Sequence, residues 1–200
     1  VARAFYIAKS GRPGPVVLDF AKNAQTALIE YEPQTVDFIR SYNPVPTPEQ
    51  SAIEKAAELI NQSVKPLMLV GQGVEIAGAR EELLALVEKA HIPFGQTMLG
   101  LSAAPTHHPL NMGMLGMHGN LAPNVMTNQC DLLIAVGMRF DDRVTGDLHT
   151  YAKQAKVIHF EIDPSEVGKI VKPTVAVLGN CKQTLAQVTE LVEPARHQAW

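Results

Sequence analysis

Five short apolar runs recur along the chain after residue 66, and each is followed by glycine, a small polar residue or an acid. A run of apolar residues without alternation is typical of a strand that is covered on both faces of a parallel sheet. The runs predict strands at residues 67–70, 92–96, 132–136, 157–160 and 175–178. With helices between them, we predict an α/β fold in three layers, an open parallel sheet of five to six strands with helices on both faces and right-handed crossovers.

The first part of the chain has a different pattern. Periodicity in residues 1–9 predicts a helix, which glycine and proline end before an expected strand at residues 16–20. Residues 23–46 carry several prolines and no clear periodicity. A stretch of this kind is typical of a linker between two domains.

A new domain is expected to begin near Thr47. This residue is a good N-cap, and Gln50 is placed to close a capping box with it, at the start of a helix that runs to Gln62. We assign residues 47–193 to one domain, and residues 194–200 to a tail or the start of the next linker.

Composition and charge argue against a nucleic-acid-binding protein and against a membrane protein. The 200 residues are 46% hydrophobic and 18% charged, and the formal net charge of −3 gives no basic footprint for nucleic acid. No apolar run approaches the roughly 20 residues of a membrane helix, and no signal-peptide pattern is seen. We therefore expect a soluble, cytoplasmic protein with neither nucleic acid nor a membrane as partner. Cys130 and Cys181 are expected to be small core residues in a reducing compartment.

A long segment without periodicity, residues 102–120, separates the second and third predicted strands. Its glycines at 113, 116 and 119 are interleaved with methionines and histidines. Such a segment inside a compact domain is usually functional or disordered, and methionine offers an adaptable surface to a flat ring. We predict a ligand-covering loop. The histidines lack the spacing and the neighbouring carboxylates of a metal site, so no metal is expected.

Glycine and charged residues follow the strands, at the edge where open α/β sheets bind ligands. Glycine N–H groups in the turn at residues 71–73 suit a diphosphate, although such a turn also needs glycine for steric reasons. Arg139 and Arg143 are candidate anion clamps, or they pair with the neighbouring aspartates. Glu161 and Asp163 are placed to accept from ribose hydroxyls, or Asp163 caps a turn. No nucleophile or general base stands out, so the residues alone predict binding.

Four ordered motifs carry a resemblance to a known family. They are GRPGPVVLDFAKN at 11–23, GMLGMHG at 113–119, CDLLIAVGMRFDDRVTG at 130–146 and HFEIDPSEVGK at 159–169. Together they resemble the large catalytic subunit of acetolactate synthase, also called acetohydroxyacid synthase. The resemblance covers the middle of that subunit. It implies that residues 1–22 end the preceding pyrimidine-binding domain, that residues 23–46 are the linker, and that residues 47–193 are the Rossmann-like central domain, which binds FAD.

This resemblance implies a carboligase that condenses two pyruvates, or pyruvate and 2-oxobutanoate, with release of carbon dioxide in valine, leucine and isoleucine biosynthesis. In that family thiamine diphosphate and Mg²⁺ bind outside the matched region, and FAD performs no net redox step. The chain has no G-D-G motif with a downstream Asn, so we expect it to be inactive alone. The implied partners are the other domains of the subunit, a homodimer or tetramer of large subunits, and a small regulatory subunit.

The FAD contacts of the family, carried over by position, give the expected cofactor-binding residues. They are Arg12, Gly71, Gln72, Gly73, Thr97, Met98, Gly100, Leu115, Gly116, His118, Gly137, Arg139, Asp141, Arg143, Val144, Glu161, Ile162, Gly179 and Asn180. The family commonly has aspartate in place of Asn180, which keeps an acceptor and loses the charge. Arg143 resembles the arginine that holds the carboxylate of the second substrate, and Met117 resembles a methionine beside the active site.

Two other interpretations stay open. A glyoxylate carboligase or an oxidase of pyruvate shares the central fold of thiamine diphosphate enzymes, although the FDDRVTG sequence at residues 140–146 argues against both. A central domain without flavin would be a non-catalytic nucleotide-binding or structural module.

Overall fold

The computed structural model describes residues 1–197 and 200, and the chain divides into two compact units, Val1–Pro46 and Thr47–Trp200. The smaller unit contains helix α1 (Ala2–Lys9), helix α2 (Lys22–Thr26) and an isolated antiparallel bridge between Ile39 and Tyr42. The strand expected at residues 16–20 is wrong. The segment is exposed, and no strand in the described part of the chain pairs with it.

The larger unit is built on one parallel sheet of six strands. They are β1 (Pro66–Val70), β2 (Phe94–Gln96), β3 (Asn111–Met114), β4 (Leu132–Val136), β5 (Lys156–Glu161) and β6 (Val175–Leu178). The predicted fold class and all five predicted strands are confirmed. The sixth strand, β3, lies in the segment that we predicted to be a loop. It escaped prediction because it is a half-buried edge strand of sequence NMGM, with no apolar run.

The strand order β3-β2-β1-β4-β5-β6 reverses the direction of sheet growth at β1. β2 and β3 extend the sheet on one side of β1, and the chain then crosses back so that β4 pairs with β1 on its other side. This is the strand order of the Rossmann fold, whose ligands bind at the carboxyl ends of the strands beside the reversal. The fold therefore indicates the carboxyl ends of β1 and β4 as the place where a ligand would bind.

Helices cover both faces of the sheet, as predicted, but unequally. They are α3 (Gln50–Gln62), α4 (Gln72–Ile76), α5 (Arg80–Ala90), α6 (Leu121–Thr127), α7 (Asp142–Thr145) and α8 (Cys181–Leu191). The long helices α3, α5 and α8 share one core with alternate strand residues such as Met68, Ile134 and Phe160. The other core contains Leu69 and Leu133 and is covered mainly by short elements. Among the described helices, none is long and apolar enough to cross a membrane.

The start of α3 differs from our prediction. The helix begins at Gln50 with Glu49 as N-cap and no side-chain cap, so the capping box of Thr47 and Gln50 is wrong. The side chain of Gln50 instead donates to Glu54 one turn later, at 3.0 Å. The predicted end at Gln62 is confirmed.

Candidate functional site

The turns that follow β1 and β4 pack backbone against backbone at the reversal of the sheet. The N–H of Gly71 donates to the carbonyl of Val136, and the N–H of Gly73 donates to the carbonyl of Gly137, both at 2.9 Å. A Cβ added to Gly73 would lie 2.6 Å from the Cα of Gly137, whose own φ is +56°. Both glycine amides are therefore donated within the protein and are not available to the diphosphate that we assigned to them. Cofactor contact at residues 71–73 stays a prediction. Steric need, the alternative reading, explains these glycines.

The turn after β2 closes against the end of β1. The N–H of Thr97 donates to the carbonyl of Val70 at 2.9 Å, and the side chain of Gln96 donates to the carbonyl of Gly100 at 2.8 Å. A Cβ on Gly100 would clash with the Val70 carbonyl. The turn leaves the side chain of Met98 exposed.

The loop after β3 meets α7, the short helix that follows β4. The N–H of Met117 donates to the carbonyl of Arg143 at 2.8 Å, and the Arg143 Nη1 lies 3.9 Å from the Met117 Sδ. Gly116 has a φ of +99°, and a Cβ there would lie 2.6 Å from the Arg143 carbonyl oxygen. Two positions far apart in sequence, which the family resemblance places beside the substrate, are thus neighbours in the structure.

Side-chain amides hold this loop in place. The side chain of Asn124, on α6, accepts from the N–H of Gly116 at 2.8 Å and donates to the Gly116 carbonyl at 2.9 Å. The Asn120 Oδ1 accepts from the N–H of Met114 at 2.9 Å. Sequence reasoning missed both asparagines. The sequence feature that could have revealed them is the number of amide side chains in and around the segment at residues 102–120, namely Gln96, Asn111, Asn120 and Asn124.

The two arginines lie at the rim and pair with neighbouring acids. The Arg139 Nε is 3.3 Å from the Asp141 Oδ2, and the Arg143 Nη1 is 4.0 Å from the Asp142 Oδ2, with the arginine side chains 60% and 70% exposed. Exposed pairs of this kind contribute about 0–1 kcal/mol. The ion pairs predicted as the alternative are therefore present, and they leave both guanidinium groups able to exchange partners for an anion.

The carboxylates of Glu161, which ends β5, and of Asp163 mainly stabilise the turn that follows the strand. The Glu161 Oε1 accepts from the N–H groups of Ile162 and Asp163, at 2.9 and 3.1 Å. The Asp163 Oδ1 accepts from the N–H of Ser165 at 2.9 Å, so the capping role given as its alternative is confirmed. The Glu161 side chain is buried, and its Oε2 lies 3.7 Å from the His159 Nε2. A ribose contact from Glu161 stays a prediction.

A buried histidine supports the turn after β4. The side chain of His159 is fully buried, and its Nε2 lies 2.9 Å from the carbonyl of Met138. Because a carbonyl only accepts, Nε2 carries the proton. Burial lowers the pKa of His159, although the Met138 carbonyl and the nearby Glu161 act in the opposite direction. His159 is therefore neutral near pH 7. Sequence reasoning missed it, since it reads as one more position in a strand.

Both cysteines are buried, as predicted. The Cys181 Sγ lies 3.3 Å from the carbonyl of Gly73, and burial raises the pKa of Cys130 and of Cys181 to about 12. Neither thiol is a nucleophile at neutral pH.

The remaining expected positions lie on the same edge of the sheet or in the other unit. The N–H of Gly179 donates to the Glu161 carbonyl at 2.9 Å, and Asn180 is the N-cap of α8, accepting from the Lys182 N–H at 2.9 Å. Leu115 is buried, Val144 and Ile162 are partly buried, and Gln72 and His118 are exposed. Arg12 belongs to the unit Val1–Pro46. Its contact with a cofactor stays a prediction.

Comparison with known proteins identifies a family that matches most of the larger unit. A model of the family described as "Thiamine pyrophosphate enzyme, central domain" matches residues 53–188. The acetolactate synthase large subunit of Corynebacterium glutamicum is 44% identical over 98% of this chain and 31% of its own length. A probable acetolactate synthase large subunit of Methanocaldococcus jannaschii is 46% identical over 91% of this chain and 31% of its own length. The chain thus spans about a third of the length of these relatives.

Solved structures share the fold at lower identity. A putative thiamin diphosphate-dependent enzyme from Mycobacterium smegmatis has a TM-score of 0.73 at 22% identity, and covers 97% of this chain and 37% of its own. The benzoylformate decarboxylase from Polynucleobacter necessarius has a TM-score of 0.75 at 20% identity, over 98% of this chain and 36% of its own. At these identities the likeness concerns the fold alone.

Proposed function

The chain belongs to the family of thiamine pyrophosphate enzyme central domains, and from this premise we propose that it is the FAD-binding central domain of an acetolactate synthase large subunit. The relatives in Corynebacterium and Methanocaldococcus, at 44% and 46% identity, carry that name. The proposed whole protein condenses two pyruvates, or pyruvate and 2-oxobutanoate, with release of carbon dioxide. Thiamine diphosphate and Mg²⁺, bound outside this chain, supply the covalent chemistry.

One observation carries the binding proposal. The loop after β3 is hydrogen-bonded to α7 at the carboxyl edge of the sheet, so that Met117 lies next to Arg143 near the reversal of the strand order. Exposed guanidinium groups suit a diphosphate or a carboxylate, and exposed methionines suit a flat apolar ring. The residues at this edge therefore fit a flavin nucleotide held by side chains. They do not offer the cradle of glycine amides that we predicted.

Within this proposal the chain binds and orients. Arg139 is the best-placed cation for the diphosphate, and Arg143 is assigned to the carboxylate of the second substrate. Met98 and Met117 are assigned to the edge of the flavin ring. His159, neutral and buried, keeps the turn that carries Arg139 at its place on the sheet.

A fluorescence titration tests the binding proposal. FAD is titrated with the purified chain, and saturable quenching is expected. Arg139→Ala removes a charged donor, and since such hydrogen bonds contribute about 1.5–3 kcal/mol, the Kd is expected to rise at least tenfold. Lys55→Ala is the matched control, because Lys55 is an exposed cation of α3 that pairs with Glu58 at 2.7 Å. No saturable quenching by the parent chain, or equal effects of the two variants, would contradict the proposal.

A chimera tests the activity. This chain replaces the matching central segment of the Corynebacterium glutamicum large subunit, to which it is 44% identical. Formation of acetolactate from pyruvate is then measured with added FAD, thiamine diphosphate and Mg²⁺. We expect activity in the chimera. A folded, flavin-loaded chimera that forms no acetolactate would favour another thiamine diphosphate enzyme.

The partners and the compartment follow from the same proposal. The relatives are named as large subunits, so a small regulatory subunit is the expected partner of the whole protein, together with further copies of the large subunit. We propose a cytoplasmic location. Co-purification of the chimera with the small subunit of the same organism tests the first point.

A further inference from the structure

Asn124 makes a two-way contact with a single residue of the loop. Its Oδ1 accepts from the Gly116 N–H at 2.8 Å, and its Nδ2 donates to the Gly116 carbonyl at 2.9 Å. The side-chain amide thus satisfies both the N–H and the carbonyl of Gly116. Asn124 belongs to α6, which packs on β3, so the contact joins this helix to the loop that follows the strand.

The backbone of Gly116, held by Asn124, sets the path of the loop at Met117. Gly116 adopts a φ of +99°, which side chains rarely allow, and the next N–H, that of Met117, donates to the carbonyl of Arg143 at 2.8 Å. The Met117 Sδ then lies 3.9 Å from the Arg143 Nη1. If the Gly116 backbone rotated, the Met117 N–H would leave the Arg143 carbonyl, and the methionine would leave the rim.

We propose that Asn124 is a positioning residue of the flavin site, which fixes the Gly116 backbone so that Met117 stands beside Arg143. The inference rests on the proposed function, because it concerns the same site. In this proposal Asn124 acts only through the Gly116 backbone, to which it is hydrogen-bonded.

The contact with Gly116 needs one donor and one acceptor on a side chain as long as that of asparagine. Alanine offers neither group. Aspartate keeps the acceptor for the Gly116 N–H, but when ionised it sets a negative oxygen against the Gly116 carbonyl. A protonated aspartate again offers one O–H donor and one acceptor in almost the same shape as asparagine. Protonation of this variant therefore restores the contact without any change of sequence.

The experiment compares FAD affinity at two pH values in the purified chain. At pH 8, Asn124→Ala and Asn124→Asp are each expected to raise the Kd about tenfold, the loss expected for one or two hydrogen bonds. A carboxyl that is partly buried against a carbonyl has a raised pKa, so at pH 5 the ratio of the Asn124→Asp Kd to the parent Kd is expected to fall to about three. The ratio for Asn124→Ala stays near ten. His118 and Arg143 are present in the parent and in every variant, so an effect of pH that is common to all of them cancels in the ratio.

Asn128 provides the matched control. It ends the same helix, and its Oδ1 accepts from the Ala152 N–H at 2.9 Å, a contact that aspartate preserves at any pH. Asn128→Asp is expected to leave the Kd unchanged at both pH values. A ratio for Asn124→Asp that does not fall at pH 5, or that falls equally for Asn124→Ala, overturns the proposal.

Hydrogen exchange separates this inference from the proposed function. In the chain without flavin, the Gly116 and Met117 amides are expected to lose protection at least tenfold in Asn124→Ala, while the β4 amides keep theirs. Unchanged protection at both amides overturns the inference, whether or not FAD binds. If the parent chain does not bind FAD but these amides do lose protection, the proposed function fails and the positioning role stands.

Discussion

Replacing Gly73 by alanine tests why glycine occupies this position at the start of α4. The added Cβ would lie 2.6 Å from the Gly137 Cα and 2.9 Å from its carbonyl oxygen, so two backbone segments must separate. Overpacking of this kind costs about 1–3 kcal/mol, and weakening the hydrogen bond from Gly73 to Gly137 adds about 1 kcal/mol. We therefore expect the free energy of unfolding of the ligand-free chain to fall by about 2–4 kcal/mol.

Urea unfolding measures this loss without any ligand. The single tryptophan, Trp200, is a convenient probe, because its Nε1 donates to the Pro66 carbonyl at the start of β1 at 2.8 Å. Gly14→Ala is the control, since a Cβ at Gly14 meets nothing within 4 Å. If Gly73→Ala left stability within about 0.5 kcal/mol of the parent while FAD binding disappeared, the steric reasoning would be refuted and the diphosphate interpretation would return.

Three further predictions concern single residues. In the active chimera, Arg143→Ala is expected to lower use of the second oxo acid by about tenfold or more, and the first decarboxylation far less; equal losses in the two steps would contradict its assigned role. Burial raises the pKa of Asp131, but hydrogen bonds from the Ser63 side chain and from the backbone N–H groups of Val64 and Lys65 outweigh this effect. The pKa of Asp131 is therefore lowered overall. Its contribution to stability is therefore present above the unfolded pKa of about 3.9 and is lost as the pH falls through the folded value, so Asp131→Asn should flatten the acid limb of a pH–stability curve. With both pKa values raised to about 12, Cys130 and Cys181 should resist a thiol reagent in the native chain at pH 8 and react fully in urea; rapid native labelling would disprove their burial.

The sheet could be predicted because its strands are buried on both faces. The run at β4 is apolar at every position and fully buried, so periodicity alone identifies it. β3 is different, since it pairs on one side only and every residue in it is partly exposed. An edge strand with two methionines and a glycine has no local signature. Its pairing with β2 depends on the tertiary structure and cannot be seen in the local sequence.

Sequence reasoning could assign the expected contact residues to one edge of the sheet, but not the hydrogen bonds at that edge. Residues at strand ends could be assigned to one edge because parallel strands share their direction, and Arg143 and Met117 do meet there. Sequence reasoning could not show which backbone N–H groups at this edge are already hydrogen-bonded within the protein. Whether the Gly73 N–H is free or donated depends on Gly137, which lies in another turn. The role of Asn124 likewise depends on how α6 packs, which no spacing rule reveals.

The two kinds of attachment at the carboxyl edge differ in how easily they can change during evolution. The turns after β1 and β4 are joined through main-chain atoms, so inserting one residue in either would break the register of both. The loop after β3 is tied by amide side chains, which single substitutions can remove or supply. Diversification of the ligands that the domain accommodates is therefore expected to concentrate in that loop, while the glycine turns keep their length.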